Sequence, residues 1–135
     1  MYERLSLRYA TEVYELERPR DSENVVSRIV LTQLAGRWSA AILQQLQFGE
    51  RRYSQLRWAI SNVSEKMLAQ TLRELERNGL VSRTSFPVLP PRVVYTLTDL
   101  GQACSDRITA LVELLDGNAG IIEHARTIYA HRRSH

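Results

Sequence analysis

Apolar residues recur at steps of three and four along most of the chain, and β-branched residues gather in only one region. Tyr2, Leu5, Tyr9, Val13 and Leu16 have the period of an amphipathic helix, which Pro19 stops. Asp21 or Ser22 can cap a second helix whose apolar stripe is Val26, Ile29, Val30 and Leu34, before Gly36. Trp38, Ile42 and Leu46 mark a third, closed by Gly49, and Tyr53, Leu56 and Ile60 mark a short fourth. The polar turn SNVS leads into a fifth. After Gly79 the pattern changes, because LVSRTSF and RVVYTLT are rich in β-branched residues and enclose the proline-rich PVLPP. This predicts a hairpin with Pro87, Pro90 and Pro91 in its connection, since proline cannot donate to a ladder, and with Arg83 and Arg92 on the strands close by. Thr98 can cap a helix with the stripe Leu100, Cys104, Ile108, Leu111 and Leu115, ended by Gly117 and Asn118. A last helical segment carries Ile121, Ile122, Ala125, Ile128 and Tyr129 and frays into HRRSH. Neither an internal repeat nor a low-complexity linker interrupts this order.

The fifth helix, SEKMLAQTLRELERNGL, separates its residues by side. At about 100° per residue, Leu68, Leu72 and Leu75 share one stripe and pack inward, while Lys66, Gln70, Arg73 and Arg77 fall opposite. Ser64 is placed as N-cap, and Asn62 in the turn before it tolerates a left-handed backbone. Two helices joined by a tight turn, the second carrying Lys, Gln and Arg outward and followed by a basic hairpin, describe a winged helix-turn-helix. The predicted class is therefore mainly α with a small β-hairpin wing. A major groove admits such a helix, and a flanking hairpin can reach the backbone or the minor groove. Long helices also expose Lys, Gln and Arg for solubility alone, so the wheel by itself leaves both meanings open.

Charge distribution sharpens the picture. The net charge of 135 residues is +3, yet between Glu50 and Arg92 eight basic residues face four acidic ones. A concentration of that kind in a third of the chain is the footprint of a phosphate-binding surface. A 44% hydrophobic and 24% charged composition is that of a soluble globular chain of one-domain length, and no apolar run approaches the roughly 20 residues that cross a bilayer. The acidic N-terminus lacks the apolar stretch of a secretory signal, and the single cysteine, Cys104, excludes an intramolecular disulfide. Together these predict a cytoplasmic protein.

GRWSAAIL, followed by GERRYSQLRWAISNVSEKMLAQTLRELERNGLVSRTSFPVLPPRVVYTLTDLG, resembles the HxlR-type family of bacterial transcriptional regulators over roughly Val25 to Gly101. The matching features are the Gly-basic-Trp helix start, Ser-Glu-Lys-Met-Leu, Leu-Arg-Glu-Leu-Glu, the Pro-Pro-Arg-Val wing and the closing Leu-Thr-x-x-Gly. The resemblance implies a homodimer on two half-sites of a palindromic operator, with residues 22–101 as DNA-binding core and 1–20 and 102–135 as dimerisation helices. The outward side and start of the fifth helix and the position beside the wing loop give Ser64, Glu65, Lys66, Ala69, Gln70, Arg73, Arg77 and Arg92 as the expected DNA-binding set. Redox-sensing members carry a cysteine thirteen residues before the tryptophan of the Gly-basic-Trp motif. Val25 stands there in this chain, followed by Val26. Cys104, on an apolar stripe, is then expected to be a buried, inert thiol.

Other chemistry is sparse. There is no Gly-rich phosphate loop, nucleophile elbow or Cys-x-x-Cys pair, so nothing suggests an enzyme or a cofactor. His131 and His135 have the i, i+4 spacing of a chelating pair, but they lie in a tail expected to fray, and His124 is two turns away from His131. Trp38 is expected in the core, although pockets near the dimer helices of the resembled family leave room for it to touch a small-molecule effector. Trp58 takes a position where those relatives often carry a basic residue, and it is open to the dimer interface or the DNA backbone. A protein-interaction module that uses the fold without DNA is the competing function, and a small-molecule sensor whose output is DNA binding is compatible with the first.

Overall fold

The computed structural model describes residues 21–134. Its elements are α1 (Asp21–Leu34), α2 (Arg37–Leu46), β1 (Arg51–Arg52), α3 (Tyr53–Ala59), α4 (Glu65–Arg77), β2 (Val81–Phe86), β3 (Arg92–Leu97), α5 (Asp99–Gly117) and α6 (Ala119–Arg133). The helix expected over 1–20, with Leu5, Tyr9, Val13 and Leu16, lies outside the described residues. Two compact units divide between Ser105 and Asp106, within α5.

The core of the first unit is built by the stripes the periodicity marks. Ile42, Leu43 and Leu46 of α2, Leu56 of α3, and Leu68, Leu72 and Leu75 of α4 are buried together with Ile60, Val63, Leu80, Val81 and Val94. Burying one such side chain contributes about 1.5–3 kcal/mol relative to leaving it exposed, so three leucines on α4 decide which of its faces turns inward. That helix ends at Gly79, whose φ of 77° is open to glycine at no steric cost. The Leu80 N–H donates to the Leu75 carbonyl at 2.9 Å and the Gly79 N–H to that of Glu76 at 3.0 Å, the paired bonds of a Schellman end. The chain leaves this turn directly into β2.

β2 and β3 form the predicted hairpin, with Val81 opposite Leu97 and Phe86 opposite Arg92. A strand that the sequence reading did not anticipate joins them. Arg51 and Arg52 pair antiparallel with Tyr95 and Val94, giving the sheet order β1-β3-β2. Two residues are too short to carry a period.

Several expected faces are corrected. On α5 the buried residues are Gly101, Ala103 and Ser105, whereas Leu100, Leu111 and Leu115 are exposed and Cys104 is half-buried. The cause is local: the start of α5 lies so close to the Leu80 carbonyl that only a glycine fits at 101, and the Ser105 hydroxyl donates to the Leu43 carbonyl at 3.3 Å. Thr98 does cap this helix, accepting from the Gly101 N–H at 3.0 Å. Trp38 is half-buried rather than in the core, with the Arg37 guanidinium 4.5 Å from its ring centre. On α1, Val26 and Ile29 are exposed, and Val30 and Leu34 are half-buried. In the second unit α6 continues through the expected frayed tail to Arg133, and none of its residues is buried.

Candidate nucleic-acid interface

α3, the turn 60–64 and α4 make a helix-turn-helix whose second helix is fixed at its start. Asn62 has φ 68°, the left-handed conformation that a residue with a short polar side chain tolerates in a tight turn. The Ser64 hydroxyl accepts the Met67 N–H at 3.0 Å, satisfying one of the donors that a helix start leaves over. Two further bonds come from α3. The Arg57 guanidinium donates to the Val63 carbonyl at 2.6 Å, and the Tyr53 hydroxyl donates to the Glu65 carbonyl at 3.0 Å. Sequence reasoning counted Arg57 only as positive charge and Tyr53 only as an apolar mark, because neither partner is within reach of a local pattern. The turn is thus held from both helices, and the first residue of α4 has a defined position relative to α3.

Lys66, Gln70, Arg73 and Arg77 lie along one side of α4, and Ser64 and Glu65 stand at its start. Ser64, Glu65, Lys66, Gln70, Arg73 and Arg77 are exposed, Ala69 is half-buried, and Leu68, Thr71, Leu72 and Leu75 are buried behind them. The Thr71 hydroxyl, the one polar side chain on the inward face, is satisfied by donating to the Met67 carbonyl at 2.7 Å. Four cationic or amide side chains on a buried-backed helix form a surface that can donate hydrogen bonds to phosphate oxygens or to acceptors on base edges.

Arg92 is placed apart from this row. It sits beside the wing loop, where its guanidinium donates to the Glu50 carboxylate at 2.9 Å and lies 5.5 Å from the Phe86 ring centre. Arg83, on β2 opposite Tyr95, is exposed. A cleft of about 420 Å³ runs between α3 and the wing, lined by Glu50, Arg52, Ser54, Gln55, Arg92 and Val94. Another, of about 410 Å³, is lined by Gln45, Arg51, Ser54, Gln55, Trp58 and Ala59, with Trp58 89% exposed.

Of the histidine pair, His135 lies outside the described residues, and among the described residues no group of three His, Cys, Asp or Glu side chains is arranged to hold a metal ion. Among them, too, no helix is long and apolar enough to cross a membrane.

Comparison with known proteins bears on the same segment. Residues 33–122 match the model of the HxlR-like helix-turn-helix family. The chain is 44% identical over 97 residues to the uncharacterized HTH-type transcriptional regulator YtfH of Escherichia coli (strain K12), an alignment that covers 72% of this chain and 77% of that one. Among solved structures, ytfH from Salmonella typhimurium aligns with TM-score 0.67 and 44% identity, covering 75% of this chain and 90% of the other. The reduced form of the transcriptional regulator YodB from B. subtilis aligns with TM-score 0.61 and 31% identity, covering 73% and 92%.

Proposed function

Because the chain belongs to the HxlR-like helix-turn-helix family and is a helix-turn-helix transcriptional regulator, we propose that it reads duplex DNA through α4, as a homodimer on the two halves of a palindromic operator. The observation that carries this is the division of α4 between a buried leucine face and an exposed row of Lys66, Gln70, Arg73 and Arg77. Helix-turn-helix proteins contact base edges chiefly with the N-terminal half of this helix. Lys66 and Gln70 therefore read bases, with Ala69 small enough to lie against a thymine methyl. Ser64 and the N–H groups beside Glu65 hold a phosphate at the helix start, and Arg73 and Arg77 lie progressively closer to the backbone.

The dimer has support in exposed apolar surface. On α1, Val25, Val26, Ile29 and Leu31 are all more than half exposed, and the second unit exposes Leu111, Leu114, Leu115, Ile121 and Tyr129. Exposed apolar surface of this extent on a single chain marks a place of association, and closed twofold symmetry is its commonest form. Such a regulator works beside the chromosome, in the cytoplasm. Incubating the purified chain with sheared genomic DNA and sequencing what it retains would identify the operator. Titration of the recovered duplex at several salt concentrations should then show affinity falling linearly on logarithmic axes. Failure to retain any duplex at low salt would favour a protein-interaction module on the same fold.

A further inference from the structure

The cleft between α3 and the wing contains cationic groups that α4 does not use. In the sheet register Arg52 lies opposite Val94, and Val94 is two residues from Arg92, so Arg52 and Arg92 emerge on the same face. Ser54 and Gln55, from the first turn of α3, form the opposite wall. The Gln55 side-chain oxygen is occupied by the Arg52 backbone N–H at 2.8 Å, which fixes α3 against β1. Against the two guanidinium groups stands one carboxylate, Glu50, and it holds only the Nη2 of Arg92. The Arg92 Nε is shut off from solvent with no partner among the described residues. A guanidinium has five donors and Glu50 engages only one nitrogen of this half-exposed one, so the group keeps donors for an oxyanion.

The location of the cleft matters as much as its charge. Tyr53, between the lining residues Arg52 and Ser54, donates to the Glu65 carbonyl, so the segment that lines the cleft is tied to the start of α4. Resting on the reading of α4 as the groove-entering helix, we propose that this cleft binds one backbone phosphate of the duplex through Arg52, Ser54 and Arg92, and that Glu50 is its built-in competitor. Without DNA the Glu50 carboxylate holds Arg92 beside the wing loop; on binding, the phosphate takes the guanidinium and the Ser54 hydroxyl donates to a second phosphate oxygen. Both sides of the Arg92–Glu50 pair are about half exposed, at 41% and 51%, and a solvated pair of that kind is weak enough to exchange. A phosphate carries no sequence information, so Glu50 lowers affinity for every duplex alike and limits occupancy of non-operator DNA.

The test uses the full chain, a fluorescent duplex of scrambled sequence and several salt concentrations. Glu50→Gln keeps a hydrogen bond to Arg92 but removes the repelling charge, and should raise affinity about two- to fivefold. That gain should vanish in an Arg92→Met background. Arg52→Met, at an exposed side chain, should lower affinity and reduce the salt slope by about 0.9 per protomer, the signature of one lost phosphate contact. Inorganic phosphate in place of chloride at matched ionic strength should weaken wild-type duplex binding, and Arg92→Met should abolish that competition; phosphate that binds the wild type but not Arg92→Met while leaving duplex affinity unchanged would mean the cleft takes a free anion alone and would overturn the duplex assignment. Indifference of affinity to both Glu50→Gln and Arg52→Met, while Lys66→Ala still weakens binding, would overturn the cleft alone. A wild-type chain that binds no duplex would overturn the reading of α4 and the cleft with it.

Discussion

A methyl group on Gly101 would lie 1.9 Å from the carbonyl oxygen of Leu80, far inside van der Waals contact and against backbone that cannot swing away. The same turn is bound twice more, since the Thr98 hydroxyl donates to the Gly79 carbonyl at 2.6 Å and the Thr98 N–H to the Leu80 carbonyl at 3.1 Å. The end of α4 and the start of α5 therefore meet through main chain. Gly101→Ala should destabilise the protein by about 3 kcal/mol or more, as overpacking against fixed backbone does. Urea unfolding followed by circular dichroism measures it, and a loss below 1 kcal/mol would show that the contact yields.

Ser64→Ala removes the oxygen that accepts the Met67 N–H at the head of α4. It should cost about 1 kcal/mol of stability, since such caps contribute 0.5–2 kcal/mol. The turn should nevertheless survive, because Arg57 and Tyr53 hold Val63 and Glu65 independently. A stability loss together with native-like spectra is the expected combination.

Base reading and backbone anchoring should separate along α4. Gln70→Ala is expected to cost about 1–3 kcal/mol on the operator and to relax the choice at one base position, as loss of a bidentate contact does. Arg77→Ala, two turns further along, should weaken operator and scrambled duplexes equally. Titrations of both duplexes with both variants decide it, and the reverse pattern would invert the orientation of α4 in the groove.

Oxidation should leave DNA binding almost unchanged. By the resemblance, Val25 stands where redox-sensing relatives carry their cysteine, and Cys104 is half-buried on α5. Thiolate character and access govern oxidation, and Val25 offers no thiol at all. Binding curves before and after diamide treatment should coincide; a loss that Cys104→Ser prevents would make Cys104 a sensor.

A chain cut to residues 22–116 should be monomeric, whereas the full chain should be a dimer. The shortened chain lacks the expected first helix and all of α6, which carries Ile121, Ile122 and Ile128 at least partly in solvent. Light scattering at equal concentrations distinguishes the two, and a dimer from the shortened chain would move the interface elsewhere.

What the sequence determined by itself is whatever depends on neighbours along the chain. Caps at Ser64 and Thr98, the left-handed turn at Asn62, the prolines between β2 and β3 and the leucine stripe of α4 each act within one or two turns, so residue type and spacing suffice to find them. The outward row on α4 was legible for the same reason, since a helix with one strongly buried side has its other side settled by geometry. Tertiary structure alone decided which contacts join residues distant in sequence. It paired Arg92 with Glu50 across 42 positions, added β1 to the hairpin, and turned the small face of α5 inward in place of the Leu100 stripe. Periodicity reports that a face is apolar but not what will cover it. On α5 the close approach of the Leu80 carbonyl demanded a residue without a side chain, and that demand is invisible until the two backbones meet.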